Sequence, residues 1–337
     1  MYEHKGKRNA WLRSILATLA AVLLWMSLPA SAAETTCAAP TRMLIPVGHT
    51  VGIKLFSQGV VVVKQPEIGT PAKACGLRRG DVIVRCDDTE VTSIEQFRAL
   101  LQETGADGAV LQVRREADAV TLAIEPEENE EGIYCIGAWI RDSMAGIGTL
   151  TYVDPESGAF GALGHGVTDL DTAQLMPFAN GTILPSAVKA VKKGSCGAAG
   201  ELRGDFDLKQ DLGVLTANTD VGIFGTLKEM PFSGEALPIG KAVVGPATIQ
   251  ANVTGDQVET YDIEITRVET DGQNGRELVI RVTDPALIAV TGGIVQGMSG
   301  SPIIQDGKLV GAVTHVLLNE PTRGYGVLVE TMLNAAE

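Results

Sequence analysis

The sequence predicts a mainly β protein: an N-terminal apolar segment, a first module of about one small domain, and a larger second module built as a β-barrel or sandwich. Three observations carry this. At roughly 150 residues per domain, the 337 residues imply about two domains. Hydrophobic residues make up 45% of the chain but aromatics only 4%, with 39 glycines, a mixture that favours a turn-rich β protein built on Val, Ile, Ala and Leu. From about Gly132 onward, short β-type runs alternate with Gly, Pro and Asp. The formal charge of -14 and the lack of any Lys/Arg cluster after residue 13 exclude a nucleic-acid backbone binder. The chain is also too apolar for disorder over most of its length.

Residues 1–33 read as a signal peptide or membrane anchor. Lys5, Lys7, Arg8 and Arg13 precede an uncharged apolar run that ends in Pro29-Ala30-Ser31-Ala32-Ala33, a small-residue cleavage site. Cutting after Ala32 removes those four cations and Glu3, which takes the charge from -14 to -17. No later apolar stretch is long enough to span a bilayer, so the remainder is expected on the outer side of the membrane. Its five cysteines, Cys37, Cys75, Cys86, Cys135 and Cys196, are an odd number, and their spacing contains no CxxC pair for zinc.

The first module is expected over residues 40–126. Gly59 and the four valines after it read as a buried strand, Gly69-Thr70-Pro71-Ala72 opens a short helix and turn, and Val82-Ile83-Val84 starts a second strand. Thr92-Ser93-Ile94-Glu95 is a helix start signal before an amphipathic stretch through Leu101, and strands return over 109–114 and 119–124. The pattern Gly69-x-Pro71-Ala72 with Gly76-Leu77-x-x-Gly80-Asp81-x-Ile83 resembles a PDZ domain of the bacterial protease-associated kind. Such domains add an extended peptide to a sheet edge and hold its C-terminal carboxylate on backbone N–H groups. Val51, Gly52, Ile53, Lys54 and Leu55 are expected to supply that loop and strand, with His49 an ordinary loop histidine. The acidic run over 127–131 is expected to be a solvated linker.

The second module, residues 132–337, carries the chemistry. Its β-type runs cover 136–140, 146–153, 242–254, 261–268 and 277–282. Two constellations stand out, Gly164-His165-Gly166 and Gly297-Met298-Ser299-Gly300-Ser301-Pro302. A serine hydroxyl attacks a peptide carbonyl when a base takes its proton and donors stabilise the oxyanion. Glycines around Ser299 permit the tight turn that exposes Oγ and aims the Gly297 and Ser299 N–H groups into one hole. The loop resembles the nucleophile loop of chymotrypsin-like proteases. In that fold the next strand lines the specificity pocket, so Thr314, His315 and Val316 are expected to contact substrate.

A longer match sharpens this. Thr283-Asp284-Pro285, the run from Thr291 through Gln305, Gly311-Ala312-Val313-Thr314-His315-Val316, Gly324-Tyr325-Gly326-Val327, Ile183-Leu184-Pro185-Ser186 and Gly222-Ile223-Phe224-Gly225 resemble the SpoIVB peptidase family of sporulation serine endopeptidases. The resemblance implies His165 as general base and Ser299 as nucleophile. It also implies self-cleavage, and cleavage of a membrane-bound regulator of pro-sigma-K processing in the space between the forespore and mother-cell membranes. No cofactor or metal is implied, and no His-Glu-x-x-His occurs. For the acid the resemblance points to Asp284, whereas the chain order His, Asp, Ser favours Asp220, and a dyad is open; Asp169 and Asp171 sit too near His165 in sequence. Two other function classes stand beside this one. A PDZ-bearing adaptor with a retired protease domain requires the loss of His165 or Ser299. A general quality-control protease of the HtrA type places its PDZ after the protease.

Overall fold

The structure, a computed structural model, describes residues 42–269 and 275–336. The signal or anchor segment and Cys37 lie outside the described residues. Among the described residues no helix is long and apolar enough to cross a membrane, and Cys75, Cys86, Cys135 and Cys196 are unpaired.

Strands run in chain order as β1 (Met43–Pro46), β2 (Thr50–Val62), β3 (Val82–Cys86), β4 (Ala109–Arg115), β5 (Asp118–Ile124), β6 (Ile140–Val153), β7 (Ala159–Ala162), β8 (Phe178–Lys192), β9 (Glu201–Phe206), β10 (Gly213–Thr219), β11 (Gly222–Leu227), β12 (Gly245–Thr254), β13 (Gln257–Val268), β14 (Leu278–Val282), β15 (Pro302–Gln305), β16 (Lys308–Val316) and β17 (Arg323–Leu328). The helices are α1 (Pro71–Ala74), α2 (Ile94–Thr104), α3 (Pro285–Thr291) and α4 (Val329–Ala336).

Two barrels form the larger part of the described chain. In the first, β6, β7, β11, β10, β8 and β2 are neighbours in that order, and β2 pairs back onto β6 to close the ring. Its interior is a cluster that includes Val51, Ile53, Leu150, Phe160, Ile183, Leu215 and Ile223. The second is a closed barrel of β12, β13, β14, β17, β16 and β15, filled by Ile249, Ile263, Ile265, Leu278, Ile280, Met298, Ile303 and Val313 among others. Aliphatic and β-branched side chains at alternate strand positions suit a barrel interior, which explains why a core this large needs few aromatics.

The PDZ module is an insertion in the first barrel. Antiparallel pairing of β2 with β6 runs from Thr50↔Thr149 out to Val62↔Ile140, so one hairpin leaves the barrel, carries the PDZ elements between its arms, and returns. The far end of β2 pairs with β3 through Val60↔Ile83, β3 with β4, and β4 with β5. Leu77, Ile83, Phe97, Leu101, Leu111 and Val113 fill this module's own core. The N-cap of α2 is Ser93, whose hydroxyl accepts from Gln96 N at 3.1 Å, as the sequence predicts.

Two expectations change. The boundary at residue 40 moves, because residues 45–56 bond to β6 and β8 and belong to the barrel. The assignment of Val51, Gly52, Ile53, Lys54 and Leu55 to the PDZ groove is corrected for the same reason. Leu55 pairs with Met144 on one side and Gly181 on the other, and both edges of this stretch are filled. A strand with two partners has no free edge to offer a peptide. The stretch 136–140 is also not a strand until Ile140, and residues 136–139 are irregular. In the acidic run, Glu127–Glu128 pairs with Tyr134–Cys135 and stays exposed.

Candidate active site

The candidate site lies in a cleft of about 840 Å³ lined from both barrels. The first contributes Met144, Ile147, His165 and Asp220, and the second Gln296, Gly297, Ser299, Thr314, His315 and Val316. His165 follows the third strand of the first barrel, β7. Asp220 sits in the turn from the fifth to the sixth, β10 to β11. Ser299 precedes the fourth strand of the second barrel, β15.

Glycine is required in the serine loop. Gly297 and Gly300 both have φ +98, where an L side chain is strained, and a Cβ on Gly300 would overlap the Thr149 carbonyl oxygen. The loop is bolted to β6 and β16: Thr149 N donates to Ser299 O at 2.9 Å, Thr149 Oγ1 donates to Gly297 O at 2.7 Å, and Gly300 N donates to Val313 O of β16 at 2.7 Å. These bonds hold the carbonyls on the far side of the loop. Among the described residues neither the Gly297 N–H nor the Ser299 N–H donates to a protein acceptor. Two free donors from alternate residues of one tight turn are what an oxyanion hole requires.

His165 stands half-buried beside this loop. Its Nδ1 lies 2.8 Å from Gly166 O, an acceptor, so Nδ1 carries the proton and Nε2 keeps the lone pair. That is the tautomer a general base needs, held here by a backbone carbonyl. Burial pushes the His165 pKa below the ordinary value, partly offset by the Gly166 bond. His315 packs against it with ring centroids 4.9 Å apart and an interplanar angle of 39°. Burial, followed by the neighbouring His165 and Arg276, lowers the His315 pKa to about 4. Its Nδ1 is buried without a partner among the described residues. Both imidazoles are therefore neutral at neutral pH. Ser299 Oγ donates to Thr314 O at 2.6 Å, so in this state the hydroxyl rests on the wall strand and must rotate to meet a base.

The carboxylates separate by role. Asp284 is the N-cap of α3: its Oδ1 accepts from Ala286 N at 2.8 Å and Leu287 N at 3.0 Å, and Oδ2 from Asp262 N at 3.3 Å. It does not line the cleft. The assignment of Asp284 as the acid is therefore corrected, since a turn-forming Asp before Pro285 caps a helix here. Asp220 does line the cleft but makes no hydrogen bond to His165. Asp169 is buried and, with Asp171, holds Arg141 of β6, which braces the loop after His165.

Sequence reasoning missed Thr149, Gly166 O and Arg276. Thr149 acts across a sequence separation of 148 residues, and a carbonyl carries no side-chain signature.

A PDZ domain model matches residues 62–115 and a SpoIVB peptidase S55 model matches residues 132–333. A search of curated proteins returned no match. Among solved structures, the active form of the Rv3671c protease from M. tuberculosis is 12% identical and covers 57% of this chain and 73% of its own, with a TM-score of 0.35. Its inactive form is 14% identical, covering 56% and 82%, with a TM-score of 0.33. The PDZ domain of the SdrC-like protein from Listeria monocytogenes is 20% identical, covering 25% of this chain and 87% of its own, with a TM-score of 0.23. The family match runs through the serine loop, the His165 loop and nearly all of both barrels, and on it the chain belongs to the SpoIVB peptidase S55 family and is a serine peptidase.

Proposed function

We propose that this chain is an exported serine endopeptidase that cleaves itself and a membrane-bound regulator, and so activates pro-sigma-K processing in the space between forespore and mother-cell membranes. One observation carries the catalytic part: His165 and Ser299, from different barrels, share a cleft with two undonated N–H groups on the serine loop. In the reaction Ser299 Oγ leaves Thr314 O, gives its proton to His165 Nε2, and bonds to the scissile carbonyl carbon. The carbonyl oxygen becomes an oxyanion held by the Gly297 and Ser299 N–H groups. His165 then protonates the leaving amine, the C–N bond breaks, and water hydrolyses the acyl-enzyme by the same steps in reverse. The Gly166 carbonyl keeps the ring oriented throughout. Asp220 stabilises the imidazolium from across the cleft, while Thr314, His315 and Val316 hold the substrate.

The signal segment and the family resemblance support the cellular part. It is tested in an endospore-forming host that lacks its own copy. The expected result is a mature N-terminus after Ala32, and pro-sigma-K processing that is restored by the wild-type chain but not by Ser299→Ala. Normal processing with Ser299→Ala refutes the signalling role.

A further inference from the structure

The free edge of β6 runs from the serine loop to the PDZ core. Thr149 N and O both face that edge, donating to Ser299 O and accepting from Leu163 N at 3.2 Å. Backbone direction alternates along a strand, so Ile147, Ala145 and Ser143 present N–H and C=O to the same side. From Ile140 to Gly148 the strand pairs only with β2, leaving this edge unpaired among the described residues. Ala145 and Gly146 are exposed, and Met144 to Ile147 line the catalytic cleft.

At its other end β6 begins beside α2. Gln102 Nε2 donates to Tyr134 O at 2.9 Å near the end of α2, and Ile94 N at its start donates to Asp142 Oδ2 at 2.9 Å, so helix and chain run antiparallel. Ile94, Leu100, Ala138 and Ile140 are half-buried against the PDZ core between them. The turn before the strand has its carbonyls tied inward: Ile136 O accepts from Ala72 N at 2.8 Å and Trp139 O from Val63 N at 2.9 Å. Gly137 takes φ +66. Among the described residues the N–H groups of Gly137, Ala138 and Trp139 donate to no protein acceptor. Lys64 Nζ stands 4.2 Å from the exposed Trp139 ring, placing a cation beside them. Successive free N–H groups with a nearby cation form an anion site on an otherwise acidic chain.

We propose that one extended substrate tail lies along the whole β6 edge, its C-terminal carboxylate on the 137–139 turn and its scissile bond at Ser299. An antiparallel tail with its end at Ile140 and its cut opposite Ile147 places the scissile bond about eight residues from the free C-terminus, at roughly 3.3 Å per residue. The PDZ insertion is then a ruler, and the tail passes the Asp142 contact with α2 on its way to the cleft. This rests on the peptidase reading above.

The test uses the full chain and fourteen-residue peptides of randomised sequence, as free acids and as isotope-labelled C-terminal amides in one equimolar pool. Immobilised Ser299→Ala protein is expected to retain free acids at least about tenfold over amides, as charge-assisted hydrogen bonds require, and Lys64→Glu in that background to reduce the ratio several-fold. Wild-type chain is expected to release C-terminal fragments of about eight residues from the acids, with no preferred length from the amides. A retained ratio near one overturns the proposal whatever the activity. Cleavage positions indifferent to the free end overturn the ruler and leave the peptidase reading intact. A retained ratio with no cleavage supports the carboxylate site and counts against Ser299 as nucleophile.

Discussion

Replacing Thr149 by Val keeps the shape of a β6 side chain and removes one hydroxyl. That hydroxyl donates to Gly297 O at 2.7 Å, and the residue is 1% exposed, so water does not substitute for it. An orphaned buried carbonyl costs about 1–3 kcal/mol. At about 2–4 °C per kcal/mol for a chain of this size, Tm should fall by several degrees. The catalytic consequence should be larger than the stability loss suggests. With the Gly297 peptide free to rotate, its N–H no longer points into the hole, and losing one such donor lowers kcat by about a hundredfold or more. KM should change little, because ground-state contacts along Thr314 to Val316 are untouched. The assay is kcat and KM on a peptide substrate beside a thermal melt, with Thr149→Ser as the hydroxyl-retaining control expected to recover most of both. A Thr149→Val protein with kcat within twofold of wild type would refute the claim that β6 sets the geometry of the serine loop.

Other consequences follow from the same geometry. His165 works as a neutral base and burial lowers its pKa, so the acid limb of kcat/KM should fall below 6.5; a limb above 6.5 contradicts the burial argument. Stability has the same sign: the unfolded chain protonates His165 and His315 near 6.5 while the folded one resists, His315 down to about 4, so melts between pH 6.5 and 4 should show stability falling with acidification. Asp284→Ala should cost about 1 kcal/mol of stability from the lost helix cap and leave kcat near wild type, whereas Asp220→Asn should lower kcat roughly tenfold with little change in Tm. The reverse pattern in melts and kinetics would restore Asp284 as the acid.

Much of the fold was legible because its signals are local. The Ser93 cap, the Gly-Asp turn before Ile83 and the alternating strands each announce themselves within a few residues. The glycines beside Ser299 were readable too, since only positive φ and close backbone approach demand them. What stayed hidden depends on long-range pairing. Val51 to Leu55 look like a peptide-binding strand in isolation, and only the partners Met144 to Gly148 and Gly181 to Pro185 show that both edges are taken. Nothing in the sequence marks the PDZ as an insertion, because a hairpin's two arms can lie many residues apart. Asp284 misled for a physical reason: an Asp before Pro is equally good as a helix cap and as a catalytic acid, and the spacing to Ser299 does not distinguish them.

The central claim is that Ser299 is the nucleophile and His165 its base. Incubating purified Ser299→Ala protein alone and with a peptide substrate, and following both by mass spectrometry, tests it most directly. The account predicts no self-cleavage and no substrate cleavage, at least a thousandfold below wild type, with an unchanged melting curve. Cleavage at the wild-type positions by the Ser299→Ala protein would contradict it.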